Sequence, residues 1–152
     1  MSESTVKDIM TEFVQTIPPN STALEASQIM TKLGMGSLVV MQGKKPVGMI
    51  TERDIVTKVA SQDLNSSKVS VEKIMSNPII SIEPDRIIDE AALMMSVYQI
   101  RRLVVVGQDG DLTGIVTATD IASWLARNED HKNNALNAIS RLHDMPQTIP
   151  YQ

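Results

Sequence analysis

A seven-residue stretch occurs twice in this chain and constrains its fold more than any other feature: Gly48–Asp54 reads GMITERD, and Gly114–Asp120 reads GIVTATD. In each copy a glycine precedes two apolar residues, a threonine follows, and an aspartate stands three positions after the threonine. Locally this is a strand running into the first turn of a helix. Threonine is a favoured N-cap, and an acid at the third helical position suits a capping box and the positive end of the helix dipole. The duplication extends far beyond these copies. KDIM at Lys7–Met10 aligns with EKIM at Glu72–Met75, Thr16-Ile17 with Ser81-Ile82, and Pro19 with Pro84. Glu25-Ala26 aligns with Glu90-Ala91, and Leu38-Val39-Val40 with Leu103-Val104-Val105. One extra residue in the next turn completes the register, an insertion that surface turns tolerate well. Such repeats are supersecondary units that bury their apolar faces together.

Within repeat one, Phe13–Ile17 reads as a short strand closed by Pro18-Pro19, and Asn20–Thr22 supplies helix caps. Ala26, Ile29, Met30 and Leu33 then fall at helical spacing, as do Ala91, Met94, Met95 and Tyr98 in repeat two. Methionines on such a face read as filler of an irregular core. The apolar run Ser37–Met41 is followed by a turn over Gln42–Pro46, a strand over Val47–Ile50 and a helix from Glu52 to Ala60. Repeat two gives a strand over Leu103–Val106, a turn over Gly107–Asp111, a strand over Leu112–Val116 and a helix from Ala118 to Arg127. Each unit is therefore β-α-β-β-α, and the fold class is α/β (α+β), with helices covering small sheets whose strands are apolar on both faces.

The expected domains are repeat one over 1–64, repeat two over 65–127, and a C-terminal tail over 128–152. Asp63–Ser70 (DLNSSKVS) is polar and turn-rich and serves as the linker. In the tail, Leu136, Ile139 and Leu142 fall at a loose helical spacing before Pro146. That segment either covers exposed core or meets a partner.

Composition excludes several functions. Net charge is −4 from 14 basic and 18 acidic side chains, with no basic run longer than two, which argues against non-specific nucleic-acid binding. Cysteine is absent, which removes disulfides, thiolate metal sites and cysteine nucleophiles. No apolar run approaches the roughly 18 to 20 residues that span a bilayer, and Met1–Ser4 shows no secretory signal, so a cytoplasmic protein is expected. The two histidines, His131 and His143, lie in the tail, near Asp130 and Asp144, without convincing metal spacing. No base stands beside the repeated threonine and aspartate, so general acid/base and nucleophilic chemistry lack a second member and no enzyme is expected.

The doubled motif suits a ligand. A glycine ahead of the threonine lets a small molecule approach the backbone, an aspartate accepts from both hydroxyls of a ribose, and threonine with exposed N–H groups suits phosphate or a sugar oxygen. Helix capping alone explains the same threonine and aspartate, and the two readings hold together.

With these residues in view, Val6 to Arg127 resembles a tandem pair of cystathionine β-synthase (CBS) domains, also known as a Bateman module. The resemblance implies two β-α-β-β-α repeats related by a pseudo-two-fold axis, pairing of chains into a disc-like homodimer, and adenosyl ligands in two related clefts. It assigns the ribose to Asp54 and Asp120 and ribose or phosphate to Thr51 and Thr117. Adenine would be read largely through the main chain of Thr16-Ile17 and Ser81-Ile82, with Thr16 serving the site of Asp120 and Ser81 that of Asp54. Met49, Ile50, Ile115 and Val116 would wall the base. Arg101 and Arg102 stand where repeat one has Gly36 and Ser37, and IRRLVVV is similar to a segment of energy-sensing family members in which basic residues reach nucleotide phosphates. Arginine's planar fork suits that task. Lys44, Lys45 and Arg53 read as solvated charges.

The resemblance therefore implies a stand-alone regulatory module that takes AMP, ADP or ATP as regulatory ligand, with no catalytic cofactor or metal, and signals in trans to an effector protein. S-adenosylmethionine, a cyclic dinucleotide and a ligand-free interaction scaffold are the alternatives.

Overall fold

The apolar runs form two three-stranded sheets. In the computed structural model, which describes residues 3–128, 139 and 140, the described residues form two compact units: Val14–Ile79, and those up to Phe13 together with those from Ile80 on. These boundaries are offset from the partition at 64/65.

The Val14–Ile79 unit contains β1 (Thr16–Ile17), α2 (Ala23–Leu33), β2 (Ser37–Gln42), β3 (Lys45–Thr51), α3 (Glu52–Ile55) and α4 (Val71–Ile74), with α1 (Val6–Ile9) lying in the other unit. The strand order is β1-β2-β3, with β1 parallel and β3 antiparallel to β2. Thr22 caps α2 by accepting the Glu25 N–H at 3.1 Å. Ala23, Ala26 and Met30, on one face of α2, join Ile17, Leu38, Val40, Ile50, Val59, Val71 and Ile74 in the core. After α3 the helix continues as one π-helical segment, Val56–Ala60, where the Ser61 N–H donates to the Val56 carbonyl at 2.8 Å. A single α-helix over Glu52–Ala60 is thus corrected to an α turn followed by a π segment. The strand expected over Phe13–Ile17 shortens to Thr16–Ile17, and Phe13 is exposed.

The other unit contains α1 (Val6–Ile9), β4 (Ser81–Ile82), α5 (Ile88–Tyr98), β5 (Arg102–Val106), β6 (Leu112–Thr117) and α6 (Ala118–Arg127). Its sheet repeats the arrangement as β4-β5-β6. Ile82, Ile88, Ala91, Met95, Leu103, Val105, Val116, Ile121, Trp124 and Leu125 form its core, and Ile139 packs against them. The rest of the expected tail helix, with His131 and His143, lies outside the described residues.

The short helices α1 and α4 cross over. Val6 stands at the start of repeat one in sequence, yet it is fully buried in the core of repeat two. Its N–H donates to the Arg86 carbonyl at 2.8 Å, and the Lys7 N–H to that of Pro84 at 2.9 Å. In the same way the Val71 N–H donates to the Ser21 carbonyl at 2.7 Å and the Glu72 N–H to that of Pro19 at 3.0 Å. Each sheet is thus completed by the segment that leads into the other repeat. Among the described residues no helix is long and apolar enough to cross a membrane.

Candidate functional site: two threonine–aspartate corners

Strand β3 ends at Thr51 and β6 at Thr117, and each threonine starts a helix with the aspartate three residues on. At the second corner the Asp120 N–H donates to Thr117 Oγ1 at 3.1 Å while the Thr117 N–H donates to Asp120 Oδ2 at 2.8 Å. The first corner repeats this capping box, with the Asp54 N–H on Thr51 Oγ1 at 3.2 Å and the Thr51 N–H on Asp54 Oδ2 at 2.9 Å. The Thr51 hydroxyl adds a second donor to Asp54 Oδ2 at 3.0 Å. These bonds follow from sequence spacing, and they hold both carboxylates fixed at the end of a sheet.

The glycine of the motif has a different task from the one expected. Neither Gly48 nor Gly114 has a positive φ. A Cβ on Gly48 would lie 2.6 Å from Met75 Sδ and 2.9 Å from the Ser76 carbonyl oxygen; on Gly114 it would lie 2.7 Å from Met10 Sδ and 2.9 Å from the Thr11 carbonyl oxygen. The crossing segments fill the space, bonded to Met49 and Ile115 as isolated bridges. The expectation that a ligand approaches these glycines is corrected: the polypeptide itself does.

Strand alternation sorts the remaining candidates. Ile50 and Val116 are fully buried in the two cores, so their side chains cannot wall a base; that part of the expectation is corrected by the pleat of β3 and β6. Met49 and Ile115, on the opposite face, are partly exposed. Ile17 and Ile82 are likewise core residues, while Thr16 is exposed and Ser81 half-buried. Thr16 pairs in register with Val39 and Ser81 with Val104, which places each short strand beside the central strand of its own sheet.

The basic pair sits at the second corner. Arg102 faces Thr117 across the β5–β6 ladder, and the Arg101 carbonyl accepts the Ala118 N–H at 2.8 Å. At the first corner Ser37 faces Thr51 and the Gly36 carbonyl accepts the Glu52 N–H at 3.0 Å. The two arginines are thus placed beside Thr117 by register.

One residue at the first corner was absent from the sequence-based site. Lys58 Nζ lies 3.0 Å from Asp54 Oδ1 and donates to the Ile74 carbonyl at 2.9 Å. The spacing of four between acid and lysine on a helix is the signal that carries this pair in the sequence.

With this geometry in hand, comparison with known proteins places the chain among relatives. The family described as CBS domain matches residues 6–61 and 71–127. An uncharacterized protein of Methanopyrus kandleri is 42% identical over 122 residues, which cover 80% of this chain and 62% of that protein. The solved CBS domain pair of protein MJ0100, in complex with 5'-methylthioadenosine and S-adenosyl-L-methionine, superposes with a TM-score of 0.73 at 32% identity, covering 82% of this chain and 98% of that one. CBS domain protein PAE2072 from Pyrobaculum aerophilum, complexed with AMP, gives a TM-score of 0.71 at 25% identity over 78% of this chain and 90% of that one.

Proposed function

The chain belongs to the CBS domain family, and we propose that it is a regulatory module, not a catalyst, that binds an adenine nucleotide at its threonine–aspartate corners. The observation that carries this reading is the second corner. There a carboxylate fixed by its capping box stands beside a threonine that faces an arginine across the ladder. The carboxylate suits the vicinal hydroxyls of a ribose, and the arginines Arg101 and Arg102 suit phosphate oxygens. Main-chain groups at Thr16-Ile17 and Ser81-Ile82, with the side chains of Met49 and Ile115, are the proposed adenine contacts. Bound AMP in one solved relative, and S-adenosyl-L-methionine with 5'-methylthioadenosine in another, support an adenosyl ligand.

A ligand of this kind regulates only if it binds two arrangements of the protein unequally. We propose that the arrangements are those of a homodimer in the cytoplasm and that the signal passes in trans to a partner protein. S-adenosylmethionine is the second reading, favoured by the MJ0100 complex; the paired arginines favour phosphate over a sulfonium.

A thermal-shift and calorimetric panel of AMP, ADP, ATP, S-adenosylmethionine, 5'-methylthioadenosine and cyclic di-AMP tests the reading. A ligand at a hundred times its Kd stabilises the fold by about 2.7 kcal/mol. Asp120→Ala is expected to weaken the best ligand by about tenfold or more, the loss of a charged hydrogen-bond acceptor. Silence across the panel, with protein shown to be ligand-free, would favour an interaction scaffold.

A further inference from the structure

The two corners share a motif and differ at the positions that would meet a sugar and a phosphate. An ionised carboxylate offers about four lone-pair sites. At Asp54, Oδ2 accepts from the Thr51 N–H at 2.9 Å and the Thr51 hydroxyl at 3.0 Å, and Lys58 Nζ lies 3.0 Å from Oδ1. One site is left, whereas a vicinal diol donates twice. At Asp120 the Thr117 N–H, at 2.8 Å, is the sole donor to the carboxylate among the described residues. Three sites remain there, enough for both hydroxyls.

Lys58 is anchored from two sides, by Asp54 and by the Ile74 carbonyl at 2.9 Å. Its side chain keeps 29% exposure and a flexible stem, while that of Asp54 keeps 8%, so the lysine can leave and the aspartate cannot. The position matching Lys58 in repeat two is Trp124, a buried core residue without charge. The charges around the corners diverge in the same sense. A Cβ built on Gly36 would meet the Glu52 carboxylate at 3.7 Å. In repeat two Arg101 stands in place of Gly36 and Ala118 in place of Glu52. At this position repeat one therefore holds Glu52 followed by Arg53, where repeat two holds Ala118 and Thr119 with Arg101 in the place of Gly36.

We infer that Lys58 plugs the first corner, so that a phosphorylated adenosyl ligand occupies the Asp120 corner and reaches Asp54 only when Lys58 swings away; the inference rests on the reading that these corners bind such ligands. Lys58 is then the residue that makes two copies of one motif unequal, and it acts as a positioning residue through Asp54.

Calorimetry with AMP tests it on the wild-type chain, Asp120→Ala, Asp120→Ala with Lys58→Met, and Asp120→Ala with Lys58→Arg. AMP binding is expected to fall by about tenfold or more in Asp120→Ala and to recover by about tenfold when Lys58→Met is added. Lys58→Arg should leave the corner closed, and Asp54→Ala should abolish the recovered binding. If a thermal melt shows that Lys58→Met does not fold, Lys58→Gln removes the charge while keeping a donor for the Ile74 carbonyl. Binding in Asp120→Ala equal to wild type, or no recovery in either Lys58 variant, would overturn the inference while leaving the adenosyl reading in place. Failure of the wild-type chain and every variant to bind AMP would instead bring down the adenine-nucleotide reading, and this inference with it.

Discussion

Replacing Gly114 by alanine sets two physical effects against each other. Gly114 does not have a positive φ, so alanine can adopt the backbone, and the substitution alone should stabilise by about 0.4 to 1 kcal/mol by restricting the unfolded chain. The contact opposes this. The new methyl would sit 2.9 Å from the Thr11 carbonyl oxygen and 2.7 Å from Met10 Sδ, against an ordinary contact of 3.4–4 Å. Methionine can turn aside, but the carbonyl is backbone. Thr11 is held by its own N–H on the Ile115 carbonyl at 2.9 Å and by the Ile115 N–H on its carbonyl at 3.0 Å. Moving Thr11 by about half an ångström stretches both bonds, each contributing about 0.5 to 1.5 kcal/mol, and overpacking a filled site typically adds about 1 to 3 kcal/mol. The net expectation is a loss of about 1 to 5 kcal/mol, or a Tm lower by roughly 3 to 20 °C. Urea denaturation at equilibrium measures it, with Gly48→Ala as an internal replicate, since its Cβ meets Ser76 at the same 2.9 Å. A neutral or stabilising Gly114→Ala would refute the claim that the glycine exists for the crossing segment.

Further expectations concern the crossover and the helix ends. Val6→Ala should lower the urea midpoint of the core that contains Trp124, the chain's single tryptophan, by an amount equivalent to about 2 kcal/mol; an unchanged fluorescence transition would remove α1 from that core. Gln99 ends α5 at φ 59°, where the matching helix α2 ends on Gly34 at φ 64°. Gln99→Gly should therefore stabilise by about 0.5 to 1 kcal/mol in equilibrium denaturation, and a loss of stability would mean that the glutamine side chain contributes a contact of its own.

The elements legible in the sequence were those whose stability is local. Helix α6 spans Ala118–Arg127, as its cap and periodicity imply, and β2, β3, β5 and β6 lie within about two residues of the apolar runs. What stayed hidden depends on partners distant in sequence. KDIM and EKIM were visible as repeated letters, but a four-residue helix shows no periodicity, and α1 and α4 exist because Val6 and Val71 enter cores elsewhere in the chain. The π segment Val56–Ala60 has the composition of ordinary helix. At the candidate site the threonine–aspartate geometry was legible because capping is local. The role of the glycine was not, because the crossing segment lies far away in sequence. Ile50 and Val116 were expected to wall a base although alternation along β3 and β6 turns them inward, as neighbours in sequence occupy opposite faces of a strand.

The crossover of α1 also has a consequence in time. During synthesis the Val14–Ile79 unit is complete as soon as its last residue is available, because every element it needs is contiguous. The segment before it is made earlier and finds its core later, since that core takes in α6, which ends at Arg127, and Ile139 beyond it. At about 5 to 20 residues per second, Val6 and Ile9 wait roughly 5 to 25 seconds for their partners. The segment that precedes the Val14–Ile79 unit is made before it and seated after it, because its core partners are made last.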